Sequence, residues 1–256
     1  DQQPALRYRI YNSTDDPATV GVSLKVTDIF DRVALQADGV APIPPRSGVS
    51  SEASLPDVPC GFYRATVSSM QIGARQVRLA RVPALDVSDS PFGINHAYAW
   101  DPMLTLARQI GITWVRDWSL KWTHVEPEQG RFEFDMADYQ INRPLGLGMQ
   151  VLCMFPFPSA EWSSSGPAEP PGNWEGYVRR RIRTAYAPKD PAQLENYVFA
   201  CVQRYRDRIK VWEVFNESIF TNYSLPRQFG YTALDYLPLL QAVYRGCKRA
   251  DPDCQV

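Results

Sequence analysis

The chain has 256 residues, a formal net charge of −1 and a hydrophobic fraction of 45%. That length holds one large domain or two modest ones with a sizeable core, and the near-zero charge argues against strong partnership with nucleic acid or an anionic membrane. With two histidines, five cysteines in no metal-binding spacing and no apolar run of membrane-span length, no metal site, cofactor, disulfide framework or transmembrane segment is expected.

Residues 1–85 read as all-β. The runs Leu6–Tyr11, Thr19–Val26, Phe62–Val67 and Arg75–Val82 alternate apolar and polar side chains, with Pro, Gly, Ser and Asp clustered between them. This pattern predicts a small β-sandwich. The stretch Leu55-Pro56-Asp57-Val58-Pro59-Cys60-Gly61-Phe62-Tyr63 resembles the start of a strand in immunoglobulin-like accessory domains. Such a module either binds carbohydrate or packs structurally against its neighbour. Pro83 to Pro91 reads as a linker.

From Pro91 strands alternate with helices, the signal for a parallel α/β sheet or barrel. The expected order is a strand at Phe92–Asn95, a helix at Met103–Ile110, a strand at Thr113–Trp118, a helix ending at Gly148 and a strand at Gln150–Phe155. Residues 159–190, rich in Pro, Gly, Ser and Trp, read as one long loop. Pro191 opens the next helix in the favoured first turn. A fourth strand follows, then a helix over roughly Ala233–Arg249, and Cys254-Gln255-Val256 would begin a fifth strand. Cys153 and Cys201 read as buried thiols; Cys247 and Cys254 could pair across a helix end or stay reduced. The start at Asp1 suggests processing or a cut chain, with an extracellular or periplasmic compartment favoured over a cytoplasmic one.

The fourth strand, Val211-Trp212-Glu213-Val214-Phe215-Asn216-Glu217, ends by presenting an amide and a carboxyl group. In parallel α/β architectures that end is where catalytic groups sit. On a regular strand Glu213, Phe215 and Glu217 face one side and Trp212, Val214 and Asn216 the other. Taken alone, an Asn-Glu pair reads first as an ordinary strand end beside a paired core carboxylate; its surroundings favour the functional reading.

This strand resembles the fourth-strand signature of clan A retaining glycoside hydrolases, and the texture is nearest to family 39. The resemblance implies Glu217 as general acid/base and Asn216 as the residue binding a sugar hydroxyl. A second matching segment is Glu126-Pro127-Glu128-Gln129-Gly130-Arg131-Phe132, which resembles the loop after strand two in that clan. Arg116 corresponds to the clan's strand-two arginine, which hydrogen-bonds the nucleophile; a structural ion pair with Glu213 is the alternative. His96, at the end of strand one, is a candidate sugar contact, with a structural role as the alternative. Trp162, and after it Trp118, are candidates for stacking on sugar rings, whose apolar faces suit aromatic side chains; His124 has weaker support. The run Arg179-Arg180-Arg181-Ile182-Arg183 reads as a solvated face or as a binder of an acidic sugar.

The expected architecture is thus multidomain: an immunoglobulin-like β-sandwich over 1–85, followed over 91–256 by an α/β barrel of the TIM type, of which about four βα units are present. Retaining hydrolysis needs a second carboxyl group about 5 Å from the first. The clan's nucleophile lies on strand seven, so it is expected beyond Val256; Asp117 and Glu161 are not promoted to that role. The expected partner is a carbohydrate substrate. The competing reading is a non-catalytic carbohydrate-binding or assembly protein, whose open sheet edges would drive self-association.

Overall fold

A computed structural model describes residues 5–83, 90–95, 100–173 and 175–256. The chain divides into two compact units, Asp1–Ala84 and Leu85–Val256. Most of the expected linker, and the candidate sugar contact His96 with it, lies outside the described residues.

The first unit contains β1 (Ala5–Asn12), β2 (Ala18–Asp28), β3 (Val33–Ile43), β4 (Ser47–Ser54), β5 (Gly61–Ser69) and β6 (Gly73–Arg81). They form an antiparallel β1-β4 pair and a four-stranded antiparallel sheet ordered β3-β2-β5-β6. Strand β2 shows why: Val20, Val22, Leu24 and Val26 alternate onto one buried face. Ile10 of β1 and Val49 of β4 pack on Val20 and Val22, and Leu6 and Ala53 pack with Leu24 and Val26. The two sheets therefore share their apolar layer. Four strands were expected, and six are found among the described residues. β3 and β4 were missed because β3 is a mostly exposed edge interrupted by Asp38-Gly39, and β4 is serine-rich.

The second unit runs β7 (Gly93–Asn95), α1 (Asp101–Gln109), β8 (Trp114–Asp117), α2 (Trp122–Val125), α3 (Asp135–Gly146), β9 (Gln150–Phe155), α4 (Gly176–Thr184), α5 (Pro191–Tyr205), β10 (Val211–Val214) and α6 (Ala233–Ala250). The four strands are parallel and ordered β10-β9-β8-β7. Beyond β10, Gln255 pairs in parallel with Val211, Trp212 N donating to Gln255 O at 2.9 Å. The sheet thus begins to extend by one more strand at Cys254–Val256.

Two helix starts follow their side chains. Asp190 accepts a hydrogen bond from Ala192 N, with Pro191 in the first turn of α5, and Thr232 with Asp235 forms a capping box at α6. The two helices pack closely at Gly246, where a Cβ atom would stand 2.6 Å from the carbonyl oxygen of Glu195. The stretch 159–190 is not one loop, because α4 lies within it. Its arginine-rich sequence hides the helical period, and only Ile182 and Thr184 turn fully inward.

Candidate active site

Strand β10 leaves regular geometry as it reaches the carboxylates. It ends at Val214, and Phe215 and Glu217 adopt left-handed backbone, with φ of 57° and 47°. The expected common face of Glu213, Phe215 and Glu217 is therefore not formed, because a left-handed residue resets the alternation. Trp212 and Phe215 both enter the main core, Trp212 stacked on Phe155 and Phe215 edge-on to Tyr236. Glu213 and Asn216 instead both meet Arg116.

Arg116 is the centre of this cluster. Its Nε donates to Glu213 Oε2 at 2.6 Å and its Nη2 to Glu213 Oε1 at 2.5 Å, a two-pronged pair. Nη2 also reaches Asn216 Oδ1 at 3.2 Å, and Nη1 reaches Asn95 Oδ1 at 3.2 Å. The ion pair with Glu213 is thus formed, and it leaves the expected contact of Arg116 with a nucleophile untested. The hydrogen bonds to Glu213 raise the guanidinium's already high pKa, with smaller Coulombic support from Glu213 and Glu217, so Arg116 is a fixed cation. Its guanidinium lies 5.1 Å from the centre of the Trp118 ring, a cation–π contact. Trp118 Nε1 donates to Asn95 Oδ1 at 3.0 Å.

Asn216 is buried, whereas Glu217 is exposed, and no side-chain hydrogen bond to its carboxyl group is formed among the described residues. The loop behind it is pinned by Ser224, which is fully buried. Ser224 Oγ donates to Asn216 O at 3.2 Å, and Ser224 O accepts from Ile219 N at 2.9 Å. Leu225 N donates to Ala185 O at 2.7 Å, tying the loop to the end of α4. Asn216 and Glu217 therefore sit on a fastened backbone.

The tryptophans divide by role. Trp162 is half-buried, edge-on to the buried Trp122, and its Nε1 donates to Glu126 O at 2.8 Å. The Glu126 carboxyl group accepts from Trp122 Nε1 at 2.6 Å and Gly130 N at 2.7 Å. Glu126 thus closes its loop, and Trp162 fastens the segment after β9 onto it, leaving its polar edge occupied. Trp118 is half-buried and meets Tyr223 edge-on at 5.8 Å. Asp117 points to the core side, where Ser119 N and Oγ donate to its Oδ1, and burial raises its pKa. Glu161 lies 3.8 Å from Arg180.

Three participants were not singled out from sequence. Asn95 bridges Arg116 and Trp118, Tyr223 packs on Trp118, and Ser224 pins the loop. Asn95 had a signal in its place at a strand end. Tyr223 and Ser224 act through contacts made only once the loop has folded back.

Residues 103–256 match the family model for glycosyl hydrolase family 10. The chain is 26% identical over 169 residues to an endo-1,4-beta-xylanase 1 of Humicola insolens, covering 64% of this chain and 34% of that protein. It is 24% identical over 102 residues to an endo-1,4-beta-xylanase 1 of Gibberella zeae, covering 40% of this chain and 25% of that protein. The chain thus spans about a third or less of the length of these relatives. Among solved structures, a family 39 glycoside hydrolase from the gut symbiont Bacteroides cellulosilyticus WH2 superposes with a TM-score of 0.64 at 22% identity, over 92% of this chain and 44% of that one. The two findings place the second unit in the TIM-like fold of clan A glycoside hydrolases.

Proposed function

The chain belongs to glycosyl hydrolase family 10, and from that membership we propose that it carries the acid/base half of a retaining glycosidase site. Glu217 is the general acid/base. Asn216 binds a hydroxyl of the sugar being cleaved, with Arg116 holding its side-chain oxygen. The nucleophile is a glutamate on a strand following Val256. The N-terminal unit is an accessory immunoglobulin-like sandwich. Trp118 borders the sugar site through its exposed part, and His96 remains a candidate sugar contact.

The observation that carries this reading is the contrast at the end of β10. Asn216 is buried and hydrogen-bonded to Arg116, while the next residue presents a carboxyl group with no hydrogen-bond partner among the described residues. A structural carboxylate finds a donor, as Glu213 and Glu126 do. A general acid must keep its group available to the substrate oxygen. In the protonated state Glu217 would donate to the leaving oxygen, then as a carboxylate take a proton from the water that completes hydrolysis.

Both curated relatives are named for action on β-1,4-linked xylan, so xylan is the first substrate to offer the natural full-length protein. Replacing Glu217 by Gln should lower turnover of xylan by about 10²–10⁴-fold and that of an activated aryl xyloside far less, because an activated leaving group needs little protonation. Equal, undiminished turnover of both would remove Glu217 from the mechanism.

A further inference from the structure

A cleft of about 420 Å³ lies between the segment after β8, the segment after β9 and helix α4. Its volume is within the roughly 300–1,000 Å³ of small-ligand sites. Lys121, Arg180 and Arg181 bring three formal positive charges to its wall against one carboxylate, Glu161. We propose that this cleft is a subsite for a uronic acid residue of the substrate. Lys121 and Arg180 hold its carboxylate, and Phe157 and Tyr177 flank its ring. The proposal rests on the glycosidase reading and narrows its substrate class.

Two of these charges, on Lys121 and Arg180, are gathered but not spent. Lys121 makes no side-chain hydrogen bond among the described residues, and Arg180 meets Glu161 only at 3.8 Å. His124 stands among them; burial first, then the charges of Lys121 and Arg180, lower its pKa against a weaker upward pull from Glu161. Like charges drawn together in a concave, partly desolvated place repel one another, and a bound anion relieves that repulsion. A guanidinium beside an ammonium suits a carboxylate, which accepts charge-assisted hydrogen bonds from both.

Two other arginines of the run are engaged elsewhere. Arg179 pairs with Glu169 at 3.1 Å. Arg181 lies 4.7 Å from the centre of the Tyr223 ring and donates to Asn222 O at 3.3 Å. Tyr177 and Arg180, three residues apart on α4, share one helix face. That face is the one lining the cleft. Aromatic walls suit a sugar ring better than a free inorganic anion. Phe157 also stacks on Tyr223 at 6.2 Å, and Tyr223 packs on Trp118. A continuous row of rings therefore runs from the cleft to the Arg116 cluster.

The test is calorimetric titration of the natural full-length protein with a glucuronate-bearing xylo-oligosaccharide and its neutral counterpart. The uronate-bearing ligand should bind about tenfold more tightly at low salt, the size of one charge-assisted hydrogen bond, and the preference should fade at high salt. Arg180→Ala and Lys121→Ala should each remove most of the preference while leaving neutral-ligand affinity and the melting temperature unchanged. Glu161→Gln should increase it. The His124 imidazole, followed by NMR, should titrate at higher pH when the uronate ligand is bound. Equal affinity for the two ligands, or a preference untouched by both substitutions, would overturn the proposal and leave the glycosidase reading standing. Inorganic phosphate displacing the ligand as well as free glucuronate does would also overturn it, since the ring would then contribute nothing. Binding of neither oligosaccharide would count against both readings.

Discussion

Both units of the molecule contain non-glycine residues in left-handed backbone, and they hold them in different ways. Among the described residues of the N-terminal unit these are Asp31 and Arg46, with φ of 64° and 47°, both exposed in turns between strands. The turn at Asp31 is satisfied locally, since Asp28 Oδ1 accepts from Phe30 N and Arg32 N. In the C-terminal unit four such residues, Phe215, Glu217, Ile219 and Leu225, fall within one loop after β10. Each costs roughly 1–3 kcal/mol, and Phe215 and Leu225 are bulky side chains buried in the core. A turn of the first kind follows its own sequence. The second kind is imposed by packing, and it aims Asn216 and Glu217.

The sharpest way to break that comparison is to remove an anchor from each region. Phe215→Ala should cost about 3–5 kcal/mol through the cavity it leaves, whereas Phe30→Ala, at an exposed turn, should stay within about 0.5 kcal/mol. Denaturant unfolding followed by tryptophan fluorescence measures the first, because all seven tryptophans lie in the second unit; far-UV circular dichroism follows both. Equal costs would show that the loop after β10 does not depend on the core.

The Arg116 cluster comes next in size. Arg116→Ala leaves Glu213 half-buried without its partner, and the expected loss is about 1–3 kcal/mol, below the value for fully buried pairs because both groups are partly exposed. The double replacement Arg116→Met with Glu213→Met should recover most of it. Asn216 loses its tether in both proteins, so activity should stay low even where stability returns. Recovery of activity together with stability would reduce Arg116 to a structural residue.

Much of the second unit could be read from the chain, because its helices carry their own signals: Pro191 opens α5, and the apolar stripe of α6 runs to Ala250. Strands β8, β9 and β10 were legible as short apolar runs. Helix α4 was not, since five of its residues, Arg179 to Arg183, include four arginines and only its tertiary setting distinguishes their roles. Of the site, the Asn216-Glu217 pair and Arg116 stood out as residues. Their arrangement did not, because left-handed Phe215 brings Glu213 and Asn216 to one side and no periodicity encodes that. In the N-terminal unit the alternating β2 was plain, whereas β4, Ser47–Ser54, becomes a strand only by pairing with β1.

A smaller effect is expected at Asp117, the buried neighbour of Arg116. Burial raises its folded-state pKa above the ordinary 3.8, against the pull of its hydrogen bonds from Ser119. The folded state therefore holds this proton more tightly than the unfolded chain. The associated stability is fully present below pH ~4 and is lost as pH rises through the raised folded value. An asparagine side chain at this position has no such proton, and its oxygen can still accept from Ser119. Asp117→Asn should thus match the parent protein in acid and gain on it toward neutral pH, as urea melts across that range would show. A constant difference at every pH would mean that Asp117 is not titrating in this window.

The smallest effect separates two ion pairs of the same length. Arg7 Nε meets Glu52 Oε2 at 2.6 Å between β1 and β4, as Arg116 Nε meets Glu213 Oε2 at 2.6 Å between β8 and β10. The side chains of the first pair are 80% and 51% exposed, those of the second 23% and 32%. Water and salt screen the exposed pair, and ordering two long side chains offsets what attraction remains. Arg7→Ala should therefore change stability by under about 0.5 kcal/mol and by less still at high salt, while the loss from Arg116→Ala should persist in salt. If added salt reduced both losses equally, exposure would not be what distinguishes the pairs, and the Arg116 cluster would be an ordinary surface feature.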